Sequence, residues 1–271
     1  MTRVLVAGGT GLVGSAVVAE CLARAADVRV ISRHTLTPDS PRRQLQAQYL
    51  QADVAEADGL NAALADVDVV VDVLNGGLSS ARRTLADGAK NLAAAAAAAG
   101  VRRLVVLSIV NVDEVEFGYY QAKTAQETIY RESRVPAAIV RATQFHEFVT
   151  AVFDSGRRLR ITPRFRGAKF QTIAVADVAK ALAETALSDH EPDRIRNIGG
   201  PEVLGMDAMA RIYRQFTGVR GPVVPVPLPG ALGKYFRNGG NLTRKNAVGK
   251  ITYAQWLEAR EAESLPAVDL R

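Results

Sequence analysis

The 271-residue sequence holds a single cysteine, Cys21. One thiol cannot close an internal disulfide or form a CxxC metal or redox pair, so a reducing compartment, the cytoplasm, is expected. Histidine is scarce too, with three residues. His34 and His190 do not stand at metal-ligand spacing from His146, and no metal is expected. Met1, Thr2 and Arg3 run directly into Val4, leaving no charged leader, apolar core and cleavage site of a secretory signal. No apolar run approaches the ~20 residues that cross a bilayer, so no membrane partner is expected. The basic stretch of Arg157, Arg158, Arg160, Arg164, Arg166 and Lys169 has one aromatic within it, Phe165, which is too little for a stacking surface on RNA, and no nucleic-acid partner is expected.

What is present is ordinary for a packed globular chain: 48% hydrophobic and 23% charged residues, a composition that excludes a disordered or fibrous chain. A net charge of +6 favours anionic ligands, and a phosphorylated cofactor satisfies that bias. Strand-like runs at Val4–Ala7, Val28–Ser32, Val67–Leu74 and Leu104–Leu107 alternate with helical stretches at Leu12–Arg24, Leu60–Leu64 and Thr84–Ala99. The helix Tyr119–Arg131 and the strand Ala137–Arg141 follow. This alternation predicts an α/β fold with a Rossmann-type doubly wound parallel sheet. The expected division is a dinucleotide-binding portion over 1–142 and a smaller, interleaved C-terminal substrate-binding portion over 143–271. Within the latter, Phe170–Val175 and Asp177–Leu187 are predicted as a strand and helix returning to the main body at about 170–187. GPVVPVPLPG, residues 221–230, is predicted as an extended connector, because proline lacks the donor that a helix interior or central strand requires.

The segment VLVAGGTGLVG sets Gly8, Gly11 and Gly14 three residues apart between a strand and a helix. Gly8 permits the tight exit, Gly11 lets backbone amides approach a pyrophosphate, and Gly14 lets the helix lie close on the sheet. The helix N-terminus then faces the phosphates. Thr10, Leu12 and Val13 complete the candidate cofactor loop. At the end of the second strand, where an acidic residue would accept from a ribose 2′-hydroxyl, stand Ser32 and Arg33. A guanidinium there pairs with a 2′-phosphate, which favours NADP over NAD. Tyr119 and Lys123, four apart on a helix, bring a phenol and an ammonium onto one face. A tyrosine whose pKa is lowered by adjacent positive charge can protonate an alkoxide left by hydride transfer.

The GxxGxxG spacing, the strand end VISRH, VVVDVLNGG, VVLSIVNV with YYQAK, and RATQFHEF together resemble the atypical short-chain dehydrogenase/reductase superfamily, most closely its NmrA-like NAD(P)H-binding branch. The resemblance covers residues 1 to about 187. It implies that Asp53 and Val54 border the adenine, that Asn75 and Gly76 lie near a cofactor ribose, that Lys123 holds the nicotinamide ribose, and that Ser108 orients the substrate oxygen. His146 is a candidate for substrate contact by its position. The activity expected is NADP-dependent hydride transfer to a small carbonyl, enone, imine or quinone. The alternatives are a non-catalytic NADP-binding sensor that regulates a protein partner and, further off, a nucleotide-sugar epimerase or dehydratase. A monomer or a homodimer is expected.

Overall fold

The computed structural model describes residues 1–34, 37, 40, 42–76 and 82–262. In chain order the elements are β1 (Arg3–Ala7), α1 (Leu12–Ala23), β2 (Asp27–Ser32), β3 (Gln48–Gln51), α2 (Leu60–Leu64), β4 (Val69–Asp72), α3 (Gly88–Ala98), β5 (Arg103–Ile109), α4 (Gly118–Arg131) and β6 (Ala137–Ala142). They continue as α5 (His146–Asp154), β7 (Thr162–Phe165), β8 (Lys169–Phe170), α6 (Val175–Leu187), β9 (Ile195–Ile198), β10 (Leu204–Gly205), α7 (Met206–Thr217), β11 (Val223–Val226), α8 (Gly230–Asn238) and α9 (Tyr253–Ala262). Seven strands form one sheet in the order β3-β2-β1-β4-β5-β6-β9. The pairings β3–β2, β2–β1, β1–β4 and β4–β5 are all parallel, as the alternation of strands and helices required. The chain winds outward from β1 in one direction and resumes at β4 in the other. The crevice at the carboxyl ends of β1 and β4 is therefore where a doubly wound sheet takes its ligand.

The chain divides into two compact units, the first made of Met1–Ser108, Gly118–Arg141 and Val178–Arg196, the second of Ile109–Phe117, Ala142–Asp177 and Asn197–Arg271. In the first unit one face of the sheet, with Leu5, Ala7, Val70, Leu104 and Val106, packs against Leu60, Leu64, Ala89, Leu92, Ala93, Ala96 and Tyr130. The alanines of α3 give that helix a flat face and a close approach. Two buried arginines finish helices whose last carbonyls would otherwise lack donors. Arg29 donates to Ala63 O (2.6 Å) and Ala65 O (2.9 Å) at the end of α2. Arg103 donates to Thr185 O (3.0 Å), Ser188 O (2.8 Å) and His190 O (3.0 Å) at the end of α6.

Three elements depart from expectation. The strand predicted over Phe170–Val175 shrinks to the two residues of β8, antiparallel to β10. Beyond it the backbone turns to the segment after β6: Thr143 Oγ1 donates to Gln171 O (2.5 Å) and Ile173 N–H to Gln144 O (3.0 Å). The seventh strand of the sheet is instead β9, whose IRNI sequence carries polar side chains that an edge position tolerates. The proline-rich connector is itself a strand. β11 pairs parallel with β7, each with proline inside it, as a sheet of two edges allows.

Candidate functional site

The crevice is built from the turn outward. Gly8 leaves β1 at φ +83°, a conformation side chains rarely adopt, and a Cβ there would stand 3.3 Å from the Leu74 backbone. Gly11 N–H closes the turn on Gly8 O at 3.0 Å. A Cβ on Gly14 would lie 2.1 Å from the same carbonyl, so glycine alone lets α1 start against the strand end. The helix begins with no side-chain cap and no acidic residue in its first turn. Its first N–H groups, on Leu12, Val13 and Gly14, lack intrahelical acceptors and carry the positive end of the helix dipole. A diphosphate fits this cradle.

Around it stand several of the residues singled out from sequence. Thr10 Oγ1 donates to Ser32 Oγ (3.2 Å), which also accepts from His34 N–H (3.3 Å), tying the glycine turn to the end of β2. Arg33 is exposed on the same loop. Asp53 folds back on its own turn, its Oδ1 accepting from Ala55 N–H (2.9 Å). Val54 is buried, and its carbonyl accepts from Asn91 Nδ2 at 2.8 Å. Gly76 follows Asn75 in the segment after β4.

At the ends of β4 and β5 the side chains connect through α4. Asn75 Oδ1 accepts from the Tyr119 hydroxyl at 2.8 Å. The buried Lys123 ammonium donates to Leu74 O (3.3 Å), Leu107 O (3.0 Å) and Gln126 Oε1 (3.0 Å). Gln126 Nε2 donates in turn to Asp72 Oδ2 (2.8 Å), which also accepts from Tyr130 (2.5 Å), while Asp72 Oδ1 accepts from Leu74 N–H (2.8 Å). Burial pulls Lys123 down to about 8, and the Asp72 charge works against that fall. Burial likewise pushes the Asp72 carboxyl up, against Lys123 and its three donors. Ser108, at the end of β5, is buried, and its Oγ has no hydrogen-bond partner among the described residues.

Two expectations are corrected by this geometry. Lys123 was expected to lower the Tyr119 pKa, but its three donors go to carbonyls and an amide, and burial pushes the phenol up to about 12. His146 was expected to meet substrate. It is fully buried, with Nδ1 on Thr172 Oγ1 (2.8 Å) and Nε2 on Ile251 O (3.1 Å), so both ring nitrogens are engaged, and its ring packs beside Tyr253 and Trp256. The carbonyl requires Nε2 to be the protonated nitrogen.

Asp72, Gln126 and Tyr130 were not anticipated from the sequence. An aspartate inside the valine run of β4 was the available signal, because a buried carboxylate needs donors nearby. Among the described residues no group of three or more His, Cys, Asp or Glu side chains is placed to hold a metal ion. No described helix is long and apolar enough to cross a membrane.

Residues 8–189 match a protein family described as NAD(P)H-binding. The chain is 33% identical over 208 residues to a (4-alkanoyl-5-oxo-2,5-dihydrofuran-3-yl)methyl phosphate reductase of Streptomyces griseus, covering 74% of this chain and 69% of that one. It is 26% identical over 222 residues to the chloroplastic divinyl chlorophyllide a 8-vinyl-reductase of Cucumis sativus, covering 74% of this chain. That match spans about half of the cucumber protein, 53%. In fold the chain is similar to an NADPH-dependent quinone oxidoreductase of Escherichia coli solved with NADPH, with a TM-score of 0.78 at 17% identity, over 94% of this chain and 99% of that one. A UDP-glucose 4-epimerase of Thermotoga maritima shares the fold with a TM-score of 0.77 at 16% identity, over 96% and 98% of the two chains. With its glycine turn, uncapped first helix and doubly wound sheet, the chain belongs to the NAD(P)H-binding family.

Proposed function

We propose that the protein is an NADPH-dependent reductase of a small carbonyl, enone, imine or quinone. The observation that carries this reading is the uncapped start of α1, set by Gly8 and Gly14 at the sheet's switch point, together with Asn75 after β4, which accepts from Tyr119 of α4. The backbone amides of Leu12, Val13 and Gly14 would hold the diphosphate. At the end of β2 stand Ser32 and Arg33 in place of an acidic residue, and they would receive the 2′-phosphate. Asp53 and Val54 would border the adenine, and Asn75 and Gly76 the ribose. When bound, the reduced nicotinamide supplies a hydride to the substrate.

The chain's own groups manage position and the proton. Lys123 fastens Leu74 O to Leu107 O, which fixes the ends of β4 and β5 relative to each other. With a nicotinamide dinucleotide bound, Lys123 would hold its ribose hydroxyls. Tyr119 stays protonated across the neutral range because burial raises its pKa. It therefore acts as a proton donor at its hydroxyl, with Asn75 Oδ1 steering that group. The unpartnered Ser108 hydroxyl orients the substrate oxygen. Stopped-flow oxidation of NADPH against a panel of carbonyls, enones, imines and quinones tests the reading, and turnover with at least one is expected. A panel without turnover, from protein that binds NADPH, sinks it.

A second reading, a dinucleotide sensor, is favoured by one observation: all three Lys123 donors are spent inside the protein. Tyr119→Phe separates the two. In a reductase it abolishes turnover and leaves NADPH affinity nearly intact, whereas a sensor has no turnover to lose.

A further inference from the structure

At the amino ends of β5, β6 and β9, the pole of the sheet opposite the glycine turn, the first unit encloses a cleft of about 510 Å³. Arg102, Arg103, Arg131, Arg134 and Arg194 line it, and Glu191 is the one carboxylate among its described lining residues. Like charges gathered at this density repel one another, and the repulsion is not relieved by ion pairs within the protein. Among the described residues Arg102, Arg134 and Arg194 make no side-chain hydrogen bond or ion pair, and all three are exposed. Arg131 gives one donor to Thr128 Oγ1 at 3.2 Å, on its own helix.

Arg103 is the fixed member. It is 8% exposed and spends its donors on the carbonyls that end α6, so a guanidinium is held in place with no carboxylate bonded to it. Burial and the neighbouring Arg102 both lower its pKa, while Glu191 and Asp189 offset part of that. The rest of the lining is Ser133 and the apolar residues Val135, Pro136, Ala137, Ala138 and Pro192, a small wall beside the cations.

We propose that this cleft binds a polyphosphate anion. Several guanidiniums converge there, three of them unengaged, and a chain of phosphates presents acceptor oxygens to more than one fork at a time. The volume takes a nucleoside triphosphate or a short inorganic polyphosphate, and the phosphate chain is what both share. The proposal is independent of the cofactor reading. β5, seven residues long, separates the two poles by about 20 Å at ~3.3 Å per residue, so occupancy at one pole does not block the other.

The test is calorimetric titration of the full-length protein with inorganic triphosphate at low salt and saturating NADPH. Expected is saturable 1:1 binding that weakens at least tenfold in the double variant Arg134→Gln, Arg194→Gln and falls steeply with added salt. NADPH affinity and melting temperature of the variant are expected to match the wild type. Arg102→Gln serves as a second variant should the double one melt early, with the same direction of effect. ATP in place of triphosphate identifies the source: tighter binding lost in the same variants assigns a nucleotide, and equal binding assigns the phosphate chain alone. No heat at millimolar triphosphate, or variants that bind as tightly as the wild type, overturns the proposal.

Discussion

Asp72 shows how one side chain holds a site together. Its carboxylate is bonded to Tyr130, to Gln126 and to the Leu74 amide, and through the Gln126 amide it is joined to the Lys123 ammonium. Asp72→Ala removes the stronger of the two carboxylates that act on that cation, Glu127 being the other, and strands two buried donors, a class of change that costs about 3–5 kcal/mol. Urea unfolding is expected to show a loss of that order, and a loss below 1 kcal/mol would mean the network contributes little. Arg33 raises a different question, because it is exposed and, on the proposed reading, acts only on a bound ligand. Arg33→Glu is expected to weaken NADPH binding by ten-fold or more and to leave NADH binding within a few-fold, read by fluorescence titration of both. Of these residues Arg33 was legible in the sequence, since its place follows from the end of a recognisable strand. Gln126 and Tyr130 were not. Their role depends on Asp72 lying across the sheet from α4, a proximity that no spacing along the chain expresses. The same limit explains Tyr119, where spacing gave the shared face with Lys123 but not the carbonyls that capture the ammonium.

Elements were legible where burial was uniform. β1, β2, β4 and β5 are nearly continuous apolar runs because both faces are covered, and helices of fitting length separate them. β9 and β11 escaped because edge strands carry charge and proline without penalty. Helix α5 carries a consequence of its own, since two neighbouring titratable groups on it are buried with opposite preferences. Burial lowers His146 from 6.5 to about 4 and raises Glu147 from 4.5 to about 7. For His146 the unfolded chain binds the proton first as pH falls, so stability is lost on going from about 6.5 down to 4. For Glu147 the folded chain keeps its proton longer, so stability is lost as pH rises from 4.5 to 7. Between about pH 4.5 and 6.5 the two slopes oppose each other. Urea melts of His146→Gln across that window are expected to show stability falling with rising pH, and those of Glu147→Gln the reverse. Matching slopes in the two variants would contradict the assignment.

For the whole molecule, cofactor binding should register as folding stability, because a ligand held only by the native crevice shifts the unfolding equilibrium. NADPH at a hundred times its dissociation constant adds about 2.7 kcal/mol, which is roughly 5–10 °C in melting temperature for a chain near this size. Scanning calorimetry with and without NADPH checks it, and an unchanged melting temperature argues against the glycine turn as a binding loop. The chain path sets one more constraint. It passes from one unit to the other at residues 109, 118, 142, 178 and 197. A gene shortened after residue 142 would therefore discard β9 and the whole of α6, whose terminal carbonyls Arg103 is built to serve. Neither half is a cassette to be lifted out with one pair of cuts, and anyone wishing to graft a new specificity here must exchange several separate stretches at once.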